Sequence, residues 1–242
     1  MSHPVDALLA DPWPALRLAL GEPLHPGGRA ATEALLDRAD VGVGTRLLDA
    51  GCGAGTALDL ARRRGARPVG IDRRPATEAD SEPPSATVRG DVSRLPVRDG
   101  AVDVVLAECV LCLSPAVDRS LAEFRRVLTP GGRLALSDVV VDGDPPDLPA
   151  PLAEALCLTG PRSRGALRER VERAGFAVTD VRDHRDDLLA MRDRAARRLD
   201  YEALLGALGD RGRALRDGVA RLERAVESGR VGYVSLVART DR

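Results

Sequence analysis

Lysine, asparagine and glutamine are absent from all 242 positions. Without lysine there is no Schiff-base chemistry, and no phosphate loop of the Gly-Lys-Ser/Thr type. Without asparagine or glutamine, no side-chain amide can serve in catalysis. Aromatic residues are scarce: one Trp, two Tyr and two Phe leave little surface for stacking flipped bases or single strands. The formal net charge is −1, so no basic field draws nucleic acid to the chain. The arginine clusters Arg62 to Arg64, Arg125-Arg126 and Arg197-Arg198 fall on predicted helices as solvated faces. A long hydrophobic run and a cationic, apolar leader are also missing, so neither membrane spanning nor export is expected. That places the chain in a cytoplasm with its four cysteines as reduced thiols.

What is present begins with residues 47–55, Leu-Leu-Asp-Ala-Gly-Cys-Gly-Ala-Gly. An apolar strand ends in an acid and turns through glycines at alternate positions, and Thr56 to Arg64 reads as a helix. Such a turn admits positive φ and lets a ligand approach the backbone, while the helix points free N–H groups at it. The spacing separates this turn from the dinucleotide fingerprint G-x-G-x-x-G: the third glycine of that pattern would fall on Thr56, whereas here it is Gly55.

Three further acids close predicted strands. Arg67 to Ile71 leads to Asp72, about twenty residues past the first glycine, where a carboxylate accepts hydrogen bonds from ribose hydroxyls. Ala86 to Gly90 leads to Asp91, and Val102 to Ala107 leads to Glu108. Acids at strand ends gather along the carboxyl edge of a parallel sheet, where open α/β folds bind ligands.

Strand and helix alternate from Thr45 to Val141, which predicts a doubly wound α/β fold with helices on both faces. Around this core, residues 45–141, the sequence predicts a helical N-terminal segment (1–44) and a C-terminal part (152–242) within one domain. Val5 to Leu20 is a helix broken by Pro12 and Pro14, and Arg29 to Asp40 a second. The Pro- and acid-rich stretch from Arg73 to Ser85 shortens or removes the next helix. Asp142 to Pro151 is a proline-rich boundary. Helices over Leu152–Leu158 and Ser163–Ala174 follow, then a strand from Phe176 to Val181. Leu188, Met191, Leu199, Leu204, Leu208, Leu215, Leu222 and Val226 recur at helical spacing between Asp186 and Glu227. They predict two amphipathic helices over the active-site edge. Val231 to Ala238 closes the sheet as a seventh strand at its antiparallel edge.

The glycine turn, Gly70-Ile-Asp72, Gly90-Asp91-Val-Ser-Arg-Leu-Pro96, Val102-Asp-Val-Val-Leu-Ala107 and Arg126-Val-Leu-Thr-Pro-Gly-Gly-Arg133 occur in order. Together they resemble the class I S-adenosylmethionine-dependent methyltransferases, over roughly residues 26–142. The resemblance implies a Rossmann-like, seven-stranded, mostly parallel sheet. It implies S-adenosylmethionine as cofactor and S-adenosylhomocysteine as product. Asp49, Gly51, Cys52, Gly53 and Gly55 would lie under the methionine part. Asp72 would hold the ribose and Asp91 with Val92 the adenine, with Arg73 a further cofactor-binding residue. Arg29, next to the Pro26-Gly-Gly28 loop, would pair with the cofactor carboxylate. Glu108 is either a further cofactor ligand or a base, with His25 a second candidate base.

Cys109 and Cys112 form a lone C-x-x-C, and the histidines make no ligand pair, so no metal is expected. The run Ala107-Glu-Cys-Val-Leu-Cys-Leu-Ser114, then Ser137-Asp-Val139, then Cys157, is similar to small arsenite-methyltransferase-like and UbiE-like members of the family. In the arsenite enzymes cysteine thiolates hold trivalent arsenic, a soft centre matched to soft sulfur. Glu108 and Cys112 depart from the asparagines usual there.

Three functions follow as expectations. The first is methyl transfer to a small-molecule acceptor by in-line displacement, with no nucleic acid and no membrane involved. The second is methylation of a soft nucleophile, arsenite or a thiol, held by Cys109, Cys112 and Cys157. The third is a non-catalytic cofactor-binding subunit docking through residues 186–227. The acceptor and the oligomeric state are not legible.

Overall fold

In the computed structural model, residues 16–17, 21, 23–74, 86–159, 162–198 and 209–241 are described. The expected helix over Val5–Leu20, the stretch 75–85 and Leu199, Leu204 and Leu208 lie almost wholly outside them. The chain runs α1 (Gly28–Arg38), β1 (Arg46–Ala50), α2 (Thr56–Arg63), β2 (Arg67–Asp72), β3 (Thr87–Arg89) and β4 (Val102–Glu108). Then come α3 (Val117–Val127), β5 (Leu128–Val141), α4 (Ala150–Ala155), α5 (Arg164–Arg173), β6 (Phe176–Asp183), α6 (Arg185–Arg198), α7 (Gly209–Glu227) and β7 (Val231–Thr240). Among the described residues no helix is long and apolar enough to cross a membrane.

The strands form one sheet in the order β3-β2-β1-β4-β5-β7-β6, the doubly wound, mostly parallel architecture predicted from the alternation of elements. Side chains alternate across it with the strand period of two. Leu47, Val104, Leu106 and Ala135 face Leu35, Leu36, Ala57 and Leu60 of α1 and α2. Leu48, Val105, Ala107 and Leu136 face Leu121 and Phe124 of α3 and Leu167 and Val171 of α5. Both faces are covered, which is why the central strands read as continuous apolar runs.

Two expectations about these elements fail. The last strand is not the edge: β7 pairs antiparallel with β5 on one side and with β6 on the other. Eight consecutive residues of β7 from Val231 are buried, as an inner strand requires. The edge is β6, whose alternating exposure suits a half-solvated strand. The helix predicted to reach Leu158 also ends early, at Ala155, because Cys157 turns into the left-handed region at φ 63°.

The chain winds outward from β1 to β3 and then returns to β4 beside β1. A ligand crevice therefore opens beyond the carboxyl ends of β1 and β4. At the far ends of β5 and β7 a third apolar cluster, with Val139, Val141, Leu158, Val226 and Tyr233, packs against Leu188 and Leu189 of α6 and Leu222 of α7. Of the residues at helical spacing between Asp186 and Glu227, Leu188, Leu222 and Val226 are in this cluster or packed against it.

Candidate functional site

The turn after β1 is built by its glycines. The amides of Gly51 and Cys52 both donate to the Ile71 carbonyl, at 2.6 and 3.2 Å, folding the turn toward β2. Gly51, Gly53 and Gly55 all have positive φ, at 84°, 48° and 82°, where an L side chain is strained by about 1–2 kcal/mol. A Cβ on Gly51 would sit 2.5 Å from a Val110 methyl, whereas one on Gly53 would meet no described atom within 4 Å. Packing fixes the first glycine, and the second faces open space. Gly55 caps α2 without any side-chain cap, leaving the first amides of the helix available to a ligand.

Carboxylates ring this turn. Asp49 is buried at 4 % exposure; its burial, and then the charges of Glu108 and Asp72, hold its carboxyl well above the usual range. Asp72 accepts the Gly53 amide at 3.1 Å on one oxygen and the Arg74 amide at 2.7 Å on the other. Asp91 accepts the Ser93 amide at 2.8 Å and hydroxyl at 2.7 Å, and Arg73 pairs with its other oxygen at 2.8 Å. The Ser93 bonds, then Arg73, hold the Asp91 carboxyl below the usual range. The Arg73 guanidinium thus reaches from the end of β2 to Asp91 beyond β3.

Glu108, at the end of β4, accepts the Thr32 hydroxyl at 2.9 Å and lies 3.6 Å from His25 Nε2. The Pro26 carbonyl, 3.1 Å from His25 Nδ1, can only accept, so that nitrogen carries a proton. The other Glu108 oxygen, Oε1, is buried with no hydrogen-bond partner among the described residues. Cys52 is a packing residue: a Cβ on Gly70 would fall 2.6 Å from its sulfur, and burial pushes the thiol up. Val92 is buried in the core beneath Asp91. Arg29 is exposed in the first turn of α1.

The three distal cysteines converge. Cys109 follows β4, Cys112 sits in a short 3-10 turn over Leu111–Leu113, and Cys157 follows α4. Cys112 and Cys157 are joined as a disulfide, with Cα atoms 5.2 Å apart, so the expectation of four reduced thiols does not hold. The fold has brought together two sulfurs separated by 45 positions, a proximity no local spacing encodes. Cys52 and Cys109 are free. The Cys109 thiol lies 3.7 Å from the Tyr233 hydroxyl, which donates to Ser137 at 2.8 Å. Burial is the main cause that pushes both the Cys109 thiol and the Tyr233 phenol up.

Asp138 completes the group. It is fully buried, accepts the amides of Cys112 and Val139 at 2.9 Å each, and faces Arg162 at 3.6 Å. Burial raises its carboxyl to about 7. The ligand atoms of Cys109, Cys112, Asp138 and Cys157 all lie within 4.8 Å of one another.

Sequence reasoning missed Thr32, Arg162 and Tyr233 as site residues and gave Asp138 no role. Asp138 did carry a signal, an acid inside the apolar run Leu134 to Val141. Thr32 and Tyr233 carried none, since a threonine in a helix and a tyrosine in a strand are ordinary.

Residues 48–136 match the family model described as a methyltransferase domain. The chain is 34 % identical over 176 residues to the methyltransferase GfsG of Streptomyces halstedii, covering 67 % of this chain and 63 % of that protein. It is 32 % identical over 151 residues to an arsenite methyltransferase of Halobacterium salinarum, covering 57 % of this chain and 39 % of that one. The chain thus spans less than two thirds of either relative. In three dimensions it is similar to the 4+2 cyclase SpnF, with a TM-score of 0.74 at 24 % identity over 98 % of this chain and 94 % of that one. It is also similar to the geranyl diphosphate C-methyltransferase of Streptomyces coelicolor A3(2), with a TM-score of 0.67 at 20 % identity over 92 % and 87 %. At these identities the structural likeness establishes the fold alone.

Proposed function

We propose that this chain, a class I S-adenosylmethionine-dependent methyltransferase, transfers a methyl group from that cofactor to a small-molecule acceptor. The observation that carries the reading is the Gly51–Gly55 turn, open above Gly53 and ringed by Asp49, Asp72 and Glu108.

The residues present fit the cofactor. A glycine cradle with room above Gly53 accommodates a ligand pressed against the backbone. The unpartnered Oε1 of Glu108 is an acceptor that an ammonium or hydroxyl of the ligand would satisfy. In this reading Gly51, Gly53 and Gly55 receive the methionine part, with Arg29 reaching its carboxylate. Asp72 exchanges the amides it now accepts for ribose hydroxyls. Asp91, held in place by Ser93 and Arg73, takes the adenine amino group beside Val92. Asp49 supports the turn from below.

When bound, the cofactor supplies a sulfonium methyl and its own leaving group, so the transfer is an in-line displacement. The protein has to align the acceptor with that carbon and exclude water. Glu108, fixed by Thr32 with His25 3.6 Å away, is placed to orient the donor or to take a proton from a hydroxyl acceptor.

A second reading rests on the cluster of Cys109, Cys112 and Cys157: an acceptor with a soft nucleophilic atom, arsenite or a thiol, held by sulfur once the Cys112–Cys157 disulfide is reduced. The third, a cofactor-binding subunit without turnover, draws on no comparable observation.

The test is release of S-adenosylhomocysteine across a panel of hydroxyl, amine and carbon acceptors, with arsenite plus excess thiol as a separate arm. Turnover with a panel member supports the first reading. Turnover with arsenite that disappears in Cys157→Ser supports the second. No turnover in any arm, with the cofactor still bound, would favour the third.

A further inference from the structure

Cys109 and Cys112 after β4 and Cys157 after α4 meet Asp138 of β5 in one cluster. Their ligand atoms lie within 4.8 Å of one another, close to the span of one coordination sphere. A tetrahedral zinc ion places its sulfur ligands about 2.3 Å away and carboxylate oxygens about 2.0–2.2 Å away, so any two ligand atoms lie about 3.6–3.8 Å apart, and the group closes onto an ion with an inward shift of about 1 Å at its widest.

A second observation is independent of that distance. Of the described non-glycine residues, three have positive φ: Asp40, Cys109 at 54° and Cys157 at 63°. Two of the three are cysteines of this cluster. Left-handed backbone costs a cysteine about 1–2 kcal/mol, and such strain collects where the surrounding structure holds side chains in a functional arrangement. The two strained residues lie on different segments, one after β4 and one after α4, and both bring sulfur to the same point.

The support around the ligands is also built. The carboxylate of Asp138 accepts the Cys112 amide at 2.9 Å, fixing the loop that carries one sulfur. Each Asp138 oxygen accepts one backbone amide, which leaves lone pairs for a cation. The Arg162 guanidinium at 3.6 Å offsets part of the negative charge that three thiolates and a carboxylate would accumulate around a dication.

We infer that, once reduced, Cys109, Cys112, Cys157 and Asp138 form a tetrahedral site for a thiophilic divalent cation of the zinc type. The disulfide is the metal-free, oxidised form of the same site. A dithiol reductant converts it: two electrons and two protons pass from the dithiol to Cys112 and Cys157, and the dithiol becomes its cyclic disulfide. Binding the cation then releases the thiol protons of the three cysteines to solvent. Oxidation leaves only Cys109 and Asp138, too few ligands to retain the ion. The lone C-x-x-C concealed this site, because the third sulfur comes from a segment 45 positions beyond Cys112.

Asp138 separates this site from one for a trivalent soft centre. A pyramidal trivalent centre takes three sulfurs and needs no carboxylate, whereas a divalent tetrahedral ion takes the oxygen as its fourth ligand.

The test is anaerobic cobalt(II) titration of the full chain after dithiol reduction and removal of excess reductant, with zinc(II) as competitor. The expected result is one equivalent of cobalt with intense tetrahedral ligand-field bands and sulfur-to-metal charge transfer, displaced by zinc. The disulfide form should show neither. Cys157→Ser should weaken binding by about a hundredfold or more, one ligand's share of a typical zinc affinity, and Asp138→Asn should shift the ligand-field bands. Pale octahedral spectra, no binding after reduction, or binding indifferent to Cys157→Ser would overturn the inference. S-adenosylmethionine calorimetry on the same samples reads the cofactor site separately, so loss of metal binding with the cofactor retained would sink the metal site alone.

Discussion

Asp72 Oδ2 accepts the Gly53 amide at 3.1 Å, tying the end of β2 to the middle of the glycine turn after β1. The acid therefore shapes the cradle before any ligand arrives. Its other oxygen, which takes the Arg74 amide, faces the chain leaving β2. A single carboxylate thus couples the two loops that flank the crevice on this side of the sheet.

The glycines of the turn should respond differently to the same substitution. Gly51→Ala drives a Cβ to 2.5 Å from Val110 at a positive φ. It should cost about 1–3 kcal/mol of stability, read as a melting temperature lower by about 2–4 °C per kcal/mol. Gly53→Ala meets no described atom within 4 Å, so its stability cost should stay near the backbone strain of about 1–2 kcal/mol. Its methyl group, however, enters the space assigned to the cofactor. Calorimetry should find cofactor binding lost in Gly53→Ala; retained binding would show that the ligand does not rest on this residue.

Thr32 holds Glu108. In Thr32→Val the carboxylate loses its donor while its second oxygen is already without a partner. A lost hydrogen bond to a buried charged group costs about 1.5–3 kcal/mol, so thermal or urea unfolding should register that decrease. If Glu108 also meets the cofactor, the dissociation constant should rise by about fivefold, equivalent to ~1 kcal/mol. An unchanged constant would assign Glu108 to the acceptor or to structure.

Thiol counting tests the pairing. The oxidised chain, denatured without reductant, should react with two equivalents of a thiol reagent, at Cys52 and Cys109. After reduction it should react with four. Peptide mapping without reduction should recover Cys112 joined to Cys157. Four reactive thiols before reduction would return the chain to the all-thiol state predicted from sequence.

Acid sensitivity should trace partly to Glu123. Its carboxyl sits below the ordinary value of 4.5, chiefly because Arg126 donates to it, and also because of the Leu95 amide. A lowered folded-state value means that this stabilisation is present above about pH 4.5 and is lost as pH falls through the lower folded value. Unfolding curves of Glu123→Gln should therefore be less stable than wild type near neutrality, and the gap should close as pH falls below 4.5. A gap independent of pH would place the effect in packing instead of charge.

The legible part of this molecule was what the chain writes locally. Leu47 to Gly55 carries strand, acid and turn in nine consecutive residues, and Asp72, Asp91 and Glu108 each mark the end or the immediate continuation of their strand. Those signals marked the sheet and the carboxylates around the glycine turn. What was not legible depends on distant segments. The inner position of β7 is set by its pairing with both β5 and β6, and nothing within Val231 to Thr240 names its neighbours. The Thr32–Glu108 bond spans 76 positions and the Cys112–Cys157 bond spans 45. The Arg73–Asp91 pair spans 18 positions, and nothing in the sequence next to Arg73 names that partner.

The most direct test of the account is isothermal titration of S-adenosylmethionine into the full chain and into Asp72→Ala, with circular dichroism to confirm that both are folded. The account predicts one site per chain. In the variant, loss of bonds to a charged acceptor worth about 1.5–3 kcal/mol each should weaken binding by about tenfold to a hundredfold. Equal affinity in the two folded proteins, or no binding to either, would contradict it.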